Sequence, residues 1–200
     1  MPLERLRCGV KLSKPLKLGL WNVRGCADEC KVLEIAEELK SRGFHLCVIT
    51  ETRSKSVDVV LPNGTVYLNS GHEVNARPNG GVGFMVTSKD VTVVEFIGYS
   101  NRIASIRLEV QGTQIVVIGC YAPTESSEIT RQKEEFYKSL SGITNNLKAQ
   151  NKNVIVLGDF NCRLGRDAQV LGGQVIGNFT DSTSETTENR LRVIERTDFT

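Results

Sequence analysis

The chain has 200 residues, 40% of them hydrophobic and 24% charged, the composition of an ordinary globular protein long enough for one sizeable core. No apolar run approaches the roughly 20 residues that a membrane-spanning helix needs, and no apolar leader follows Met1, which excludes a transmembrane or secreted class and leaves an intracellular protein of the nucleus or cytoplasm as the expectation. A net charge of +2 is too small to mark a nucleic-acid binder by itself.

The amino-terminal 25 residues set Arg5, Arg7, Lys11, Lys14, Lys17 and Arg24 against Glu4 alone. Residues 1–15 are expected to form a flexible basic arm, either merely solvated or touching phosphate, ahead of a single domain over residues 16–200. "LKLGLWN" (16–22) reads as a short apolar strand that ends on Asn22. In "DECKVLEIAEELKSRG" (28–43) the positions Val32, Leu33, Ile35, Ala36 and Leu39 make one helical face, and Gly43 is a stop signal. "FHLCVITE" (44–51) is a second buried strand, ending on Glu51. The polar stretch from Thr52 to Asn79 holds a short strand around "TVYLN", and "GGVGFMVTS" and "VTVVEFIGY" follow as consecutive strands about a Ser-Lys-Asp turn.

"RIASIRLEVQG" alternates, so one solvated face is expected. "TQIVVIGCYAPT" is a buried strand that ends at Tyr121 and is stopped by Pro123. Glu128 to Gln150 reads as an amphipathic helix with Phe136, Tyr137, Leu140, Ile143 and Leu147 inward. "NVIVLGDFN" (153–161) is expected to be a strand buried on both faces, with Asp159 and Asn161 leaving the same face if the extended geometry continues. A Gly-, Thr- and Ser-rich loop runs from Cys162 to Glu188, and "ENRLRVIERTDF" begins one more helix. The six cysteines read as thiols: Cys47 and Cys120 lie in core strand patterns, and no second pair or His cluster completes a zinc site with Cys26 and Cys30.

Four core strands thus end on polar residues: Asn22, Glu51, Tyr121 and the Asp159/Asn161 pair. Each has a structural alternative, as a turn former, a helix cap or a packed ring. Together they occupy the place where α/β folds assemble sites, the carboxyl ends of strands. Glu51 and Asp159 supply hard oxygen donors without a neighbouring His or Cys, which favours Mg²⁺, with Mn²⁺ as the alternative, over zinc. Asn22, Asn161 and the Tyr121 hydroxyl add neutral groups that can hold phosphate oxygens. Such a set would polarise a phosphoryl group and position a water for in-line attack.

The blocks "LWNVRG", "VITETR", "CYAPT" and "VLGDFN", in this order, resemble the signatures of the endonuclease/exonuclease/phosphatase superfamily, the DNase I-like fold. "YAPT" and "GDFNCRLG", with "GGVGFMV" between them, are most similar to endonuclease domains of non-LTR retrotransposons and to craniofacial development protein 2-like proteins. The resemblance implies an α/β sandwich of two mixed β-sheets flanked by helices. It also implies a Mg²⁺-dependent phosphodiesterase that hydrolyses nucleic acid, DNA first. Carried over, Glu51 is the principal metal ligand, and Asn22 serves metal and phosphate. Tyr121 hydrogen-bonds the scissile phosphate, Asp159 orients or deprotonates the water beside the metal, and Asn161 holds the phosphate. Arg53 and Asn189, with Lys55 and Arg77, are further candidate phosphate contacts.

The chain departs from the family pattern near its end. No Ser-Asp-His block occurs, only His45 and His72 are present, and the expected Asn-x-Asn-Gly motif has "TENR" (187–190) as its nearest match. The sequence is therefore expected to represent a domain lacking its last strands. An endonuclease remains the first reading, with a catalytically dead remnant that at most binds nucleic acid as the alternative. A phosphoinositide or sphingolipid phosphodiesterase is a third.

Overall fold

The computed structural model describes residues 14–72, 80–124, 130–150 and 153–162. These fall into two compact units. One comprises the described residues through Tyr121 together with those from Asn146 to Asp159; the other comprises those from Ala122 to Asn145 and from Phe160 onward. The basic arm before Lys14, Arg77, Asn189, the loop after Cys162 and the expected last helix lie outside the described residues.

The first unit is built on two mixed sheets. β1 (Leu18–Asn22) runs parallel to β2 (Leu46–Thr50), and the antiparallel strands β5 (Val82–Val86), β4 (Val66–Ser70) and β3 (Val57–Val60) follow in the order β1-β2-β5-β4-β3. The second sheet has the order β6-β7-β8-β9: β6 (Val91–Ser100), β7 (Ile103–Val110) and β8 (Thr113–Tyr121) are antiparallel, and β9 (Asn153–Asp159) is parallel to β8. Each sheet therefore carries one parallel pair, β1–β2 and β8–β9, whose strands point their carboxyl ends the same way.

Leu46, Val48, Val82 and Phe84 of the first sheet meet Ala104, Ile106, Leu108, Ile115 and Val117 of the second in one continuous core, the arrangement of a face-to-face sandwich. Helix α1 (Glu29–Ser41) covers the other face of the first sheet: its stripe Val32, Ile35, Ala36 and Leu39 packs with Cys47, Ile49, Tyr67 and Met85. The Asp28 side chain caps it, accepting from the Cys30 N–H at 2.6 Å and the Lys31 N–H at 3.3 Å. Gly43 ends it with φ +68°, the left-handed backbone that glycine adopts without steric cost.

Several local expectations need correction. β3 was not anticipated: its "VDVV" presents Asp58, Val59 and Val60 to solvent, so it carries none of the burial pattern of a core strand. The strands on either side of the Ser-Lys-Asp turn are consecutive, as expected, and lie in different sheets. The solvated face that the alternation of β7 suggested is confined to its last part, Arg107 and Glu109. Ser105 is buried and shares a hydrogen bond with the Tyr99 hydroxyl at 3.2 Å, and Arg107 pairs with Glu95 on β6. β9 is half-buried along its length, where burial on both faces was expected. It also stops at Asp159. Asn161 has a left-handed backbone with φ 48°, so the period-two alternation that would align it with Asp159 ends before it.

The second helix, α2 (Thr130–Ala149), lies within the expected range, whose first residues Glu128 and Ile129 fall outside the described residues, and it buries Phe136, Leu140, Thr144 and Leu147, while Tyr137 and Ile143 are half-buried. The Thr144 hydroxyl donates to the Leu140 carbonyl at 2.8 Å. Among the described residues no helix is long and apolar enough to cross a membrane.

Candidate active site

The carboxyl ends of the two parallel pairs deliver the polar strand termini. Asn22 is the last residue of β1 and pairs in register with Thr50, the last of β2; Glu51 follows at once. Tyr121 is the last residue of β8 and pairs in register with Asp159, the last of β9. The two pairs are joined by a side-chain contact: Asn22 Nδ2 donates to Asp159 Oδ2 at 3.0 Å. The other end of the same amide organises its own turn, Asn22 Oδ1 accepting from the Arg24 N–H at 3.2 Å, so the side chain is fixed from both sides.

Glu51 leaves β2 in the left-handed region, φ 58°, and Arg53 does the same at φ 49°. Residues with a Cβ avoid this conformation, and where it persists the surroundings enforce it, often at functional sites. The Glu51 carboxylate is 15% exposed, and its Oε1 accepts from Arg53 Nη2 at 2.6 Å. The carboxylate holds the Arg53 guanidinium more firmly protonated than usual, and the Tyr121 hydroxyl acts on that guanidinium in the same direction. Arg53, half exposed, is therefore committed to Glu51 in this state.

Tyr121 is anchored by a residue that sequence spacing did not single out. Arg102, at the β6–β7 turn, accepts from the Tyr121 N–H at its carbonyl at 2.9 Å. Its Nη1 donates to the Tyr121 carbonyl at 3.3 Å, and its guanidinium stands 5.5 Å from the centroid of the Tyr121 ring. Burial lowers the pKa of this guanidinium. Behind Asp159, the Cys120 thiol is pushed up to about 12 by burial, with the Asp159 carboxylate adding in the same direction.

Asn161 belongs to the second unit, where its Nδ2 donates to the Ala122 carbonyl at 2.6 Å. His45 is a structural residue: its Nδ1 accepts from the Lys17 N–H at 3.0 Å and its carbonyl from the Thr87 N–H at 3.1 Å. His72 donates its N–H to the Ser54 carbonyl at 3.1 Å and forms an isolated bridge with Lys55. The described cysteines are free thiols.

The donors expected of the first unit are two carboxylates and a carboxamide, of which the structure brings Asp159 and Asn22 into direct contact. Among the described residues no group of three or more His, Cys, Asp and Glu gathers at one point. Hard oxygen donors in small number, on rigid strand ends, fit a divalent cation that keeps water and substrate oxygens in its shell, and do not fit a closed thiolate or imidazole site.

The profile of the Endonuclease/Exonuclease/phosphatase family matches residues 19–193. No curated protein matches the chain. Among solved structures, the endonuclease domain of TRAS1, a telomere-specific non-LTR retrotransposon, is similar with a TM-score of 0.56 at 14% identity, over 91% of this chain and 69% of that one. An AP endonuclease from Archaeoglobus fulgidus is similar with a TM-score of 0.55 at 16% identity, over 91% of this chain and 69% of that one. A mannosyl-6-phosphatase from Bacteroides thetaiotaomicron is similar with a TM-score of 0.54 at 12% identity, over 80% of this chain and 71% of that one. At such identities the likeness is one of fold.

Proposed function

Because this chain belongs to the Endonuclease/Exonuclease/phosphatase family, whose members are hydrolases, we propose that it is a divalent-metal-dependent phosphodiesterase that cuts nucleic acid, DNA by preference. The observation that carries the reading is the Asn22–Asp159 hydrogen bond. It joins Asp159, the register partner of Tyr121, to the strand pair that delivers Glu51. The likeness of fold to two endonucleases supports the choice of a phosphodiester substrate.

In this reading Glu51 and Asp159, with Asn22, would hold Mg²⁺ or Mn²⁺. When bound, the cation supplies charge that polarises the phosphoryl oxygens and offsets the negative charge gathering in the transition state. Asp159 orients the attacking water and accepts its proton. The water oxygen bonds to phosphorus as the bond to the leaving ester oxygen breaks, and that oxygen takes a proton from solvent. The Tyr121 hydroxyl donates to a non-bridging phosphate oxygen as charge accumulates there, the kind of donor whose effect is largest in the transition state. Asn22 keeps the Asp159 carboxylate in one orientation. Arg53 contacts phosphate oxygens, exchanging its hold on Glu51 for the substrate anion.

The test is nicking of supercoiled plasmid by the purified chain. Cutting is expected with Mg²⁺ or Mn²⁺, lost with EDTA and with Asp159→Ala. Cutting that survives chelation or that substitution would overturn the mechanism, and absence of turnover with any divalent cation would overturn the assignment as an enzyme.

A further inference from the structure

The segment that presents Glu51 is held by a buried polar network. Thr52, between the left-handed Glu51 and Arg53, is fully buried. Its backbone is tied on two sides: the Cys26 N–H donates to the Thr52 carbonyl at 2.8 Å, and the Thr52 N–H to the Gly81 carbonyl at 3.3 Å. Its hydroxyl donates to Asn69 Oδ1 at 3.0 Å. Asn69, buried on β4, directs its Nδ2 to Ser54 Oγ at 3.0 Å and to the Lys55 carbonyl at 2.7 Å. The whole hydrogen-bonding side chain of Asn69 thus serves residues 52–55.

Two further features show that the geometry is specific. Gly81 has φ +94°, and a Cβ there would overlap Thr52 Oγ1, so only glycine leaves the hydroxyl its path to Asn69. The strand pairing of β4 with β3 and β5 uses backbone groups, so sheet formation does not itself call for an amide at this position. An amide in a buried strand is a liability unless its bonds are made. Here they are made, and they converge on the turn that follows Glu51.

We propose that Asn69 is a positioning residue for Glu51: through Thr52 it fixes the left-handed turn on which the Glu51 carboxylate is presented to a divalent cation. The inference rests on the reading of Glu51 as a metal ligand. Mg²⁺-type sites demand near-ideal octahedral placement of their oxygens, and a ligand whose supporting network is loosened binds less well even when the fold is intact.

The test measures Mn²⁺ binding to the whole chain by electron paramagnetic resonance, without substrate, at a temperature where circular dichroism shows each variant folded. Thr52→Val removes the hydroxyl with little change of shape, and is expected to weaken Mn²⁺ binding about five- to tenfold, the loss of one buried hydrogen bond. Thr52→Ser, which keeps the hydroxyl, is expected to restore parent affinity. Should Thr52→Val not fold, Ser54→Ala, which removes one acceptor of Asn69, is expected to weaken binding about threefold. Parent-like affinity in the folded Thr52→Val variant, or in Ser54→Ala when it serves in its place, overturns the inference. Glu51→Gln separates the two levels. If it abolishes binding while the network variants bind normally, only the role of Asn69 falls. If Glu51→Gln binds as the parent does, or the parent binds no Mn²⁺, the metal reading falls with it.

Discussion

Asn22 and Asp159 lie 137 residues apart in sequence and are joined by a 3.0 Å hydrogen bond. The bond connects the ends of two strands from different sheets, and it uses a neutral donor, so it orients the Asp159 carboxylate without neutralising its charge. Asn22→Ala is expected to lower the cleavage rate about a hundredfold, the scale set by misplacing a catalytic group by about 1 Å. The chain should remain folded, because Asn22 lies at the end of an edge strand. Single-turnover cleavage together with thermal unfolding checks this.

The Tyr121 hydroxyl can be deleted while its ring stays. The ring belongs to the sandwich core and lies beneath Arg102, and phenylalanine keeps both contacts. Tyr121→Phe is therefore expected to leave the unfolding midpoint nearly unchanged and to reduce kcat by about one to two orders of magnitude, with little change in KM. An unchanged kcat would remove the hydroxyl from the chemistry.

Gly158 precedes Asp159, and a Cβ there would overlap Cys120 Sγ and the Cys120 carbonyl on the neighbouring strand. Gly158→Ala must push β9 away from β8. The expected destabilisation is about 1–3 kcal/mol, as for other overpacked sites, and Asp159 moves with the strand. Urea unfolding gives the stability change. The cleavage rate of the folded fraction should fall as well, which a purely global destabilisation would not produce.

Burial pushes the thiols of Cys47 and Cys120 up to about 12 from the ordinary 9.0, and burial raises the Tyr67 phenol too. The unfolded chain releases these protons at lower pH than the folded chain does. Their contribution is thus fully present below about pH 9 and is lost as pH rises from there toward 12, at no more than about 1.4 kcal/mol per pH unit for each group. Unfolding midpoints measured at pH 7, 9 and 10.5 should fall across the last interval, and Cys120→Ala should make that fall shallower. An equally steep fall in the variant would contradict the assignment of Cys120 as a buried neutral thiol.

The fold was legible where burial dominated. "LCVIT", "VGFMV" and "IVVIGC" are apolar runs bounded by Gly, Pro or charge, and such runs become core strands wherever they pair. α1 was legible because Asp28, the stripe from Val32 to Leu39 and Gly43 mark its start, face and end. β3 was not, because an exposed strand is made by its partner: the backbone of β4 supplies the pairing that "VDVV" does not announce. The half-burial of β9 and the end of its alternation at Asp159 depend on neighbours distant in sequence. At the candidate site, the residue types at strand ends could be read directly. The left-handed turns at Glu51, Arg53 and Asn161 could not, because no glycine marks them and tertiary hydrogen bonds impose them. One signal for the Thr52–Asn69 network was present in the sequence: a polar Asn69 inside "VYLNS", where an inward-facing strand position would ordinarily be apolar.

The central claim is that Glu51 and Asp159 share one divalent cation. Anomalous diffraction from a crystal of this chain soaked in Mn²⁺ tests it most directly. A peak within about 2.0–2.6 Å of oxygens from both carboxylates, the range of hard-cation coordination, is the result expected. A Mn²⁺ peak that touches neither carboxylate, or only one of them with the other turned away, would contradict it.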